Sequence, residues 1–314
     1  MPDIVVMFFL LGVVAGLLKS DLSIPKAAYD TLSLLLMLTI GLKGGMGLHG
    51  NLTWSLLPEM LLVMGLGALI PLVLFPLLRR LLHLSLADSA SISAHYGSVS
   101  AGTFAVALAY VEGRQLIAGP EVTLYLVLLE LPAIMVGLAL FRHFDKSSEA
   151  THSRISLLHE TLTNRGVVLL AGGVLIGYLY GPLDGAPVTD LFTGAFKAVL
   201  ALFLLEMGLT AAETLRPLPF KHWRLLAFAC LAPSVLACVG IAAGLVLELP
   251  IGSTLILASL TASASYIAAP AAIRAAIPQA NIGLAMLASL GFTFPFNVII
   301  GIPLYHQLIV MLSA

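Results

Sequence analysis

The stretch Leu86 to Gly113, LADSASISAHYGSVSAGTFAVALAYVEG, decides how the chain is read. It is apolar enough to sit in a membrane, yet its middle carries Ser91, Ser93, His95, Gly97, Ser98, Ser100, Gly102 and Thr103. A plain membrane helix has little use for so many hydroxyls and glycines. Where they cluster a helix can break, and the freed backbone N–H groups can point at a ligand instead of at the preceding turn. A second stretch, Ile251 to Pro278, repeats the pattern with Thr261, Ser263, Ser265, Tyr266 and then Ala268-Ala269-Pro270. Proline is tolerated in the first turn of a helix and disruptive inside one, which places the second break just before Pro270. Two polar, interruptible membrane segments at corresponding places in two halves of a chain point to a transporter's substrate site.

The rest of the chain supports a membrane setting. Hydrophobic residues make up 60% of the 314 and charged residues 10%, with a mean hydropathy of +1.05, which is the composition of a polytopic membrane protein. At about 20 residues per crossing, the apolar runs resolve into ten spans: 3–19, 27–48, 58–78, 86–112, 119–141, 167–181, 190–214, 225–247, 251–276 and 282–312. The longer hydrophilic segment, Arg142 to Arg165, divides the chain into a first five-helix repeat over 1–141, a cytoplasmic linker over 142–166 and a second repeat over 167–314. Gly12 and Gly16 match Gly173 and Gly177, Ile40-Gly41-Leu42 matches Met207-Gly208-Leu209, and Glu130-Leu131-Pro132 is echoed by Thr293-Phe294-Pro295. These matches keep their order at offsets of roughly 160 to 170 residues, the mark of an internal repeat. The small-xxx-small glycine spacing suits close helix approach.

Orientation follows from positive charge. With the linker in the cytoplasm, the inside loops hold Lys19, Lys26, Arg79, Arg80, Arg142, Lys146, Arg154, Arg165, Arg216, Lys221 and Arg224, while the outside loops hold Arg114. That bias places both termini outside. Five spans per half then make the repeats inverted, with spans four and nine as the broken helices. A net charge of −1 gives no field that would favour nucleic acid. Cys230 and Cys238 lie in one apolar span, with neither disulfide nor metal role expected. Met1-Pro2-Asp3 lacks a basic n-region, so no cleavable signal peptide is expected.

The candidate anion cradle is Gly97 to Thr103 facing Tyr266 to Ala271. In each, the half-helix after the break presents an N-terminus whose N–H groups and dipole favour negative charge. Ser98, Ser100 and Thr103 add hydroxyl donors; tight helix packing is the rival explanation for the small residues. Glu130 stands inside a span, where a carboxylate needs a cavity, a cation or a donor. Beside Pro132, which frees backbone carbonyls, it forms a Na⁺ site or a protonatable coupling site, with Thr261, Ser263 and Ser265 as further cation ligands. A structural role weighs at least as heavily for Glu206, for His95, and for Lys43, which can snorkel. Arg274 suits snorkelling or loop pairing. No Walker motif, dinucleotide fingerprint, metal-ligand cluster or zincin helix is present, and no nucleophile and base stand at workable spacing. The chain therefore reads as neither ATP-driven pump nor enzyme.

GSVSAGTFAVALAYVE from Gly97, IGLKGGMGL from Ile40, ELPA from Glu130, and IAAPAAIRAAIPQAN followed by FTFPFNVIIGIPLY together resemble the SbtA-type sodium-dependent bicarbonate transporters. The resemblance implies ten helices in two inverted repeats, a substrate-binding core part, a gate part packed against other subunits of a homotrimer, and Na⁺-coupled bicarbonate uptake across a bacterial plasma membrane. It implies anion contacts at Gly97, Ser98, Val99, Ser100 and Ala101 with Tyr266, Ile267 and Ala268, and cation contacts at Glu130, Ser263 and Ser265. A PII-like cytosolic regulator enters as a partner by the same analogy. The chain departs from the family in a shorter central loop, and in Tyr266, which stands where the family has a carboxylate. That second departure bears on substrate and coupling ion, not on the fold. The other readings are the same fold carrying an organic anion with H⁺ coupling, for which Tyr266 and His95 speak, and a membrane anion sensor without flux.

Overall fold

In a computed structural model, the described residues are 3–145, 163, 165–215 and 222–313. Most of the expected linker, with Lys146 and Arg154, lies outside them, as do Arg216 and Lys221. The described chain is helical throughout: α1 (Ile4–Leu17), α2 (Lys26–Leu48), α3 (Leu57–Arg80), α4 (Leu86–Gly97), α5 (Ala101–Gly113), α6 (Leu124–Phe144), α7 (Arg165–Asp184), α8 (Ala186–Thr214), α9 (Trp223–Val246), α10 (Ile251–Thr261), α11 (Ala268–Ala276) and α12 (Ile282–Ser313). Among the described residues seven helices are long and apolar enough to cross a membrane, namely α2, α3, α6, α7, α8, α9 and α12. The protein is an all-α polytopic membrane protein.

Helix starts follow local chemistry. Asp3 caps α1 by accepting the N–H of Val5 at 3.0 Å, and Ser85 caps α4 through the N–H of Asp88 at 3.0 Å. Asp88 then accepts the N–H of Asn281 at 2.8 Å, which ties the start of α4 to the start of α12. The sixth and seventh apolar runs extend further than their hydropathy indicates, because the helices continue through polar ends to Asp184 and from Ala186. Near the end of α7, Gly181 takes φ +66° before Pro182 and kinks the chain.

Packing is set by glycines. A Cβ on Gly12 of α1 would strike the Leu205 carbonyl and approach Gly208 of α8; a Cβ on Gly41 of α2 would strike the Leu170 carbonyl and approach Gly173 of α7. The glycines named in the sequence matches thus pack in crossed pairs, Gly12 on Gly208 and Gly41 on Gly173, not each on its own match. α1 lies along α8 and α2 along α7, while α3 packs on α4 and α6, and α9 on α10. Each glycine-mediated pair runs parallel, since Gly41 and Gly45 meet Gly173 and Tyr178 in the same order, as Gly12 and Gly16 meet Gly208 and Ala212.

Candidate functional site

The helix begun at Leu86 stops at Gly97, where a side chain would collide with Pro71 of α3 and Ala133 of α6. Ser98 (φ −77°, ψ 174°) and Ser100 (φ −100°, ψ 114°) are extended, and the chain turns helical again at Ala101. Ser100 is the N-cap of α5, its Oγ accepting the N–H of Thr103 at 3.0 Å, as a serine at this position does. In the second stretch α10 ends at Thr261 and α11 starts at Ala268, with Ser265 Oγ accepting the N–H of Ala269 at 3.2 Å. The two irregular segments are cross-linked. Ser100 donates its N–H to Ser263 Oγ at 2.9 Å, and Ser265 donates its N–H to the His95 carbonyl at 2.8 Å.

Between them lies a cavity of about 30 Å³. Val99, Ser100 and Ala101 line it from the first segment, Ser265, Tyr266, Ile267 and Ala268 from the second, Leu126 and Glu130 from α6, Met37 from α2, and Gly166, Val167 and Leu170 from α7. The first residues of α5 and α11 therefore face one space. Each such terminus carries the equivalent of roughly half a positive charge, and the first N–H groups of a helix have no partner within it. Buried hydroxyls without a partner lie close by in the chain, Ser98 Oγ and Thr103 Oγ1. A space with donors on two sides and one carboxylate suits a small anion accompanied by a cation.

Of the residues read from sequence as substrate contacts, Val99, Ser100, Ala101, Tyr266, Ile267 and Ala268 line the cavity. Gly97 does not; it serves close packing against α3 and α6. Ser98 and Thr103 are buried behind the lining. Among the expected cation ligands, Glu130 and Ser265 line the cavity. Thr261 instead donates to the carbonyls of Leu236 and Ala258, each at 3.0 Å, and the Ser263 hydroxyl donates to Leu260 O at 2.7 Å while accepting from Ser100. His95 is fully buried, its Nδ1 on the Ser91 carbonyl at 2.7 Å and its Nε2 without a partner. Lys43 is half-buried, paired with Glu112 of α5, and held 4.6 Å from the Phe196 ring centroid. Glu206 Oε1 accepts from Thr210 at 3.4 Å, Arg274 is exposed, and both cysteines are free and exposed.

The sequence reading assigned no role to Asn297. Its amide donates to the carbonyl of Ala262, the residue closing α10, at 2.8 Å, and its Oδ1 accepts from Tyr305 at 2.8 Å. The helix there widens into π turns over Leu287–Thr293 and Asn297–Gly301, either side of Phe294–Phe296 with its Pro295. Such turns recur at functional sites. An amide two residues after a proline inside a long apolar run was the signal that could have found it. Thr293, in the first π turn, bonds Tyr96 Oη at 2.7 Å and the Ala229 carbonyl at 3.0 Å. Met37, Leu126, Val167 and Leu170 carried no signal, being apolar residues in apolar spans.

A family model described as the Na⁺-dependent bicarbonate transporter superfamily matches residues 4–310, nearly the whole chain. No curated protein matches it.

Proposed function

Because the chain belongs to the Na⁺-dependent bicarbonate transporter superfamily, a family of transporters and not of enzymes, we propose that it takes up bicarbonate or a similar small monovalent anion with Na⁺ by alternating access. The observation that carries this reading is the cavity into which the starts of α5 and α11 both face, with Glu130 in its wall. Its volume, about 30 Å³, holds only a few heavy atoms, which favours a small anion over a bulky organic one.

In this proposal α4 with α5, and α10 with α11, each form one interrupted crossing. With α1 and the seven long helices the crossings number ten, in two inverted repeats divided at the linker. The parallel course of α1 with α8 and of α2 with α7, through equivalent glycine pairs, supports that arrangement. The Arg165 end faces the cytoplasm of a bacterium and the Arg114 end faces outward, as the charge bias requires. The core part is α3 to α6 with α9 to α12; α1, α2, α7 and α8 form the gate part. α7 and α8 expose Leu175, Leu179, Leu183, Val188 and Leu191, an apolar face suited to lipid or to a neighbouring copy in a homotrimer. A PII-like regulator belongs to the same proposal by family analogy.

Radiolabelled bicarbonate uptake into proteoliposomes, with and without an inward Na⁺ gradient, tests the reading. Uptake should depend on the gradient and be lost in Ser100→Leu, which fills the cavity. Flux indifferent to Ser100→Leu would sink it. The engagement of Thr261 and Ser263 with backbone groups favours a second reading, proton coupling at Glu130. Glu130→Gln separates the two: loss of Na⁺ dependence supports the first, loss of pH dependence the second.

A further inference from the structure

A second cavity, of about 530 Å³, opens at the Arg114 end between α1, α5 and α12. Val6, Val106 and Val298 line its depth, and Arg114 lines its mouth. Each of the three valines stands about one helical turn, roughly 5.4 Å, from a band of aromatic side chains. Val6 precedes Phe9, Val298 follows Phe294, and Val106 follows Gly102, against which the rings of Phe203 and Phe294 and the Tyr266 hydroxyl close. Phe9 and Phe294 meet edge to face at 5.5 Å between centroids, and Phe294 and Tyr266 at 5.3 Å. None of these side chains is more than 6% exposed. Tyr266 is also a wall of the first cavity. The aromatic band therefore runs from the wall of the first cavity, at Tyr266 of the second irregular segment, through Phe294 of α12 to Phe9 of α1, one turn from the valines of the second.

The mouth carries one guanidinium, Arg114, and one carboxylate, Asp3. The Arg114 guanidinium lies 4.5 Å from the Tyr110 ring centroid, and Tyr110 Oη bonds His306 Nδ1 at 3.2 Å. Among the described residues no carboxylate lies within ion-pair distance of Arg114. Asp3, which also lines the groove, is engaged in capping α1.

We propose that this groove is an outer docking site for a small monovalent anion, held at Arg114, and that Phe9, Phe294 and Tyr266 form the gate between it and the cavity at the helix starts. The proposal rests on the transport reading but not on the identity of the anion.

Thiol labelling from outside the membrane tests it, in a Cys230→Ser, Cys238→Ser background. Val106→Cys should react with a membrane-impermeant anionic methanethiosulfonate at least about threefold faster than with a cationic one, because of the local cation. Arg114→Gln should remove that preference. Ala101→Cys, in the inner cavity, should react slowly from outside, and adding Phe294→Ala should raise its rate at least about fivefold by removing both ring contacts. Labelling of Ala101→Cys in permeabilised membranes shows that the cavity is intact; Phe9→Ala replaces Phe294→Ala if it is not. An unreactive Val106→Cys, or one indifferent to reagent charge, overturns the docking site. A smaller rate change for Ala101→Cys overturns the gate. No substrate enters the assay, so a failure of bicarbonate uptake and a failure of the docking site or gate are told apart.

Discussion

Asn297 holds the second irregular segment in place. Its amide satisfies the Ala262 carbonyl at the end of α10, and its oxygen takes the Tyr305 hydroxyl. All three residues are fully buried. Asn297→Leu leaves a carbonyl and a hydroxyl unpaired away from water, which should cost about 1–3 kcal/mol and appear as a lowered Tm in detergent. Tyr305→Phe, which removes one bond and leaves only the amide oxygen unpaired, should cost less. Equal Tm values for all three proteins would strip Asn297 of this role. Polar residues in apolar spans were the legible part of the cavity lining: Ser100, Glu130, Ser265 and Tyr266 all reach it. Thr261 and Ser263 looked the same in sequence yet bond backbone groups instead. A hydroxyl's type and spacing do not reveal which carbonyl or N–H the fold will bring within about 3 Å of it.

Several helix pairs here approach closely through backbone contact at glycine. Gly12→Val should force α1 off the Leu205 carbonyl of α8, an overpacking cost of about 1–3 kcal/mol or more, read as a smaller monodisperse fraction after detergent extraction. Gly172→Val is the control, since nothing lies within 4 Å of a Cβ there. If both variants behave alike, the close approach of α1 and α8 does not stabilise the fold. Spacing in the sequence marked Gly12, Gly16, Gly173 and Gly177 as contact glycines. It was silent on their partners, because a missing side chain permits approach by any neighbour. The π turns around Pro295 were likewise invisible: they depend on Thr293 and Asn297 finding acceptors on α9 and at the end of α10.

Across the whole molecule, one ion pair among the described residues joins the elements on either side of the cavity. Lys43 of α2 pairs with Glu112 of α5 towards the Arg114 end, whereas Arg165 and Asp30, 2.9 Å apart at the other end, join α7 to α2. Alternating access should break the first pair and spare the second. Lys43→Glu should therefore slow uptake by about two- to fivefold, the scale of a partly exposed pair, and Glu112→Lys added to it should restore most of the rate, whereas Asp30→Asn should leave it near wild type. No recovery in the double variant would show that Lys43 acts otherwise. The sequence by itself determined the membrane setting, the family, and the glycines at contacts, because hydropathy, motifs and missing side chains can be read from neighbours along the chain. Tertiary structure alone decided that Met37, Glu130, Leu170 and Tyr266 share one space, that Phe9 closes on Phe294, and that Ser100 meets Ser263. Those partners are far apart along the chain, and only the packing of the helices selects them from many chemically equivalent candidates.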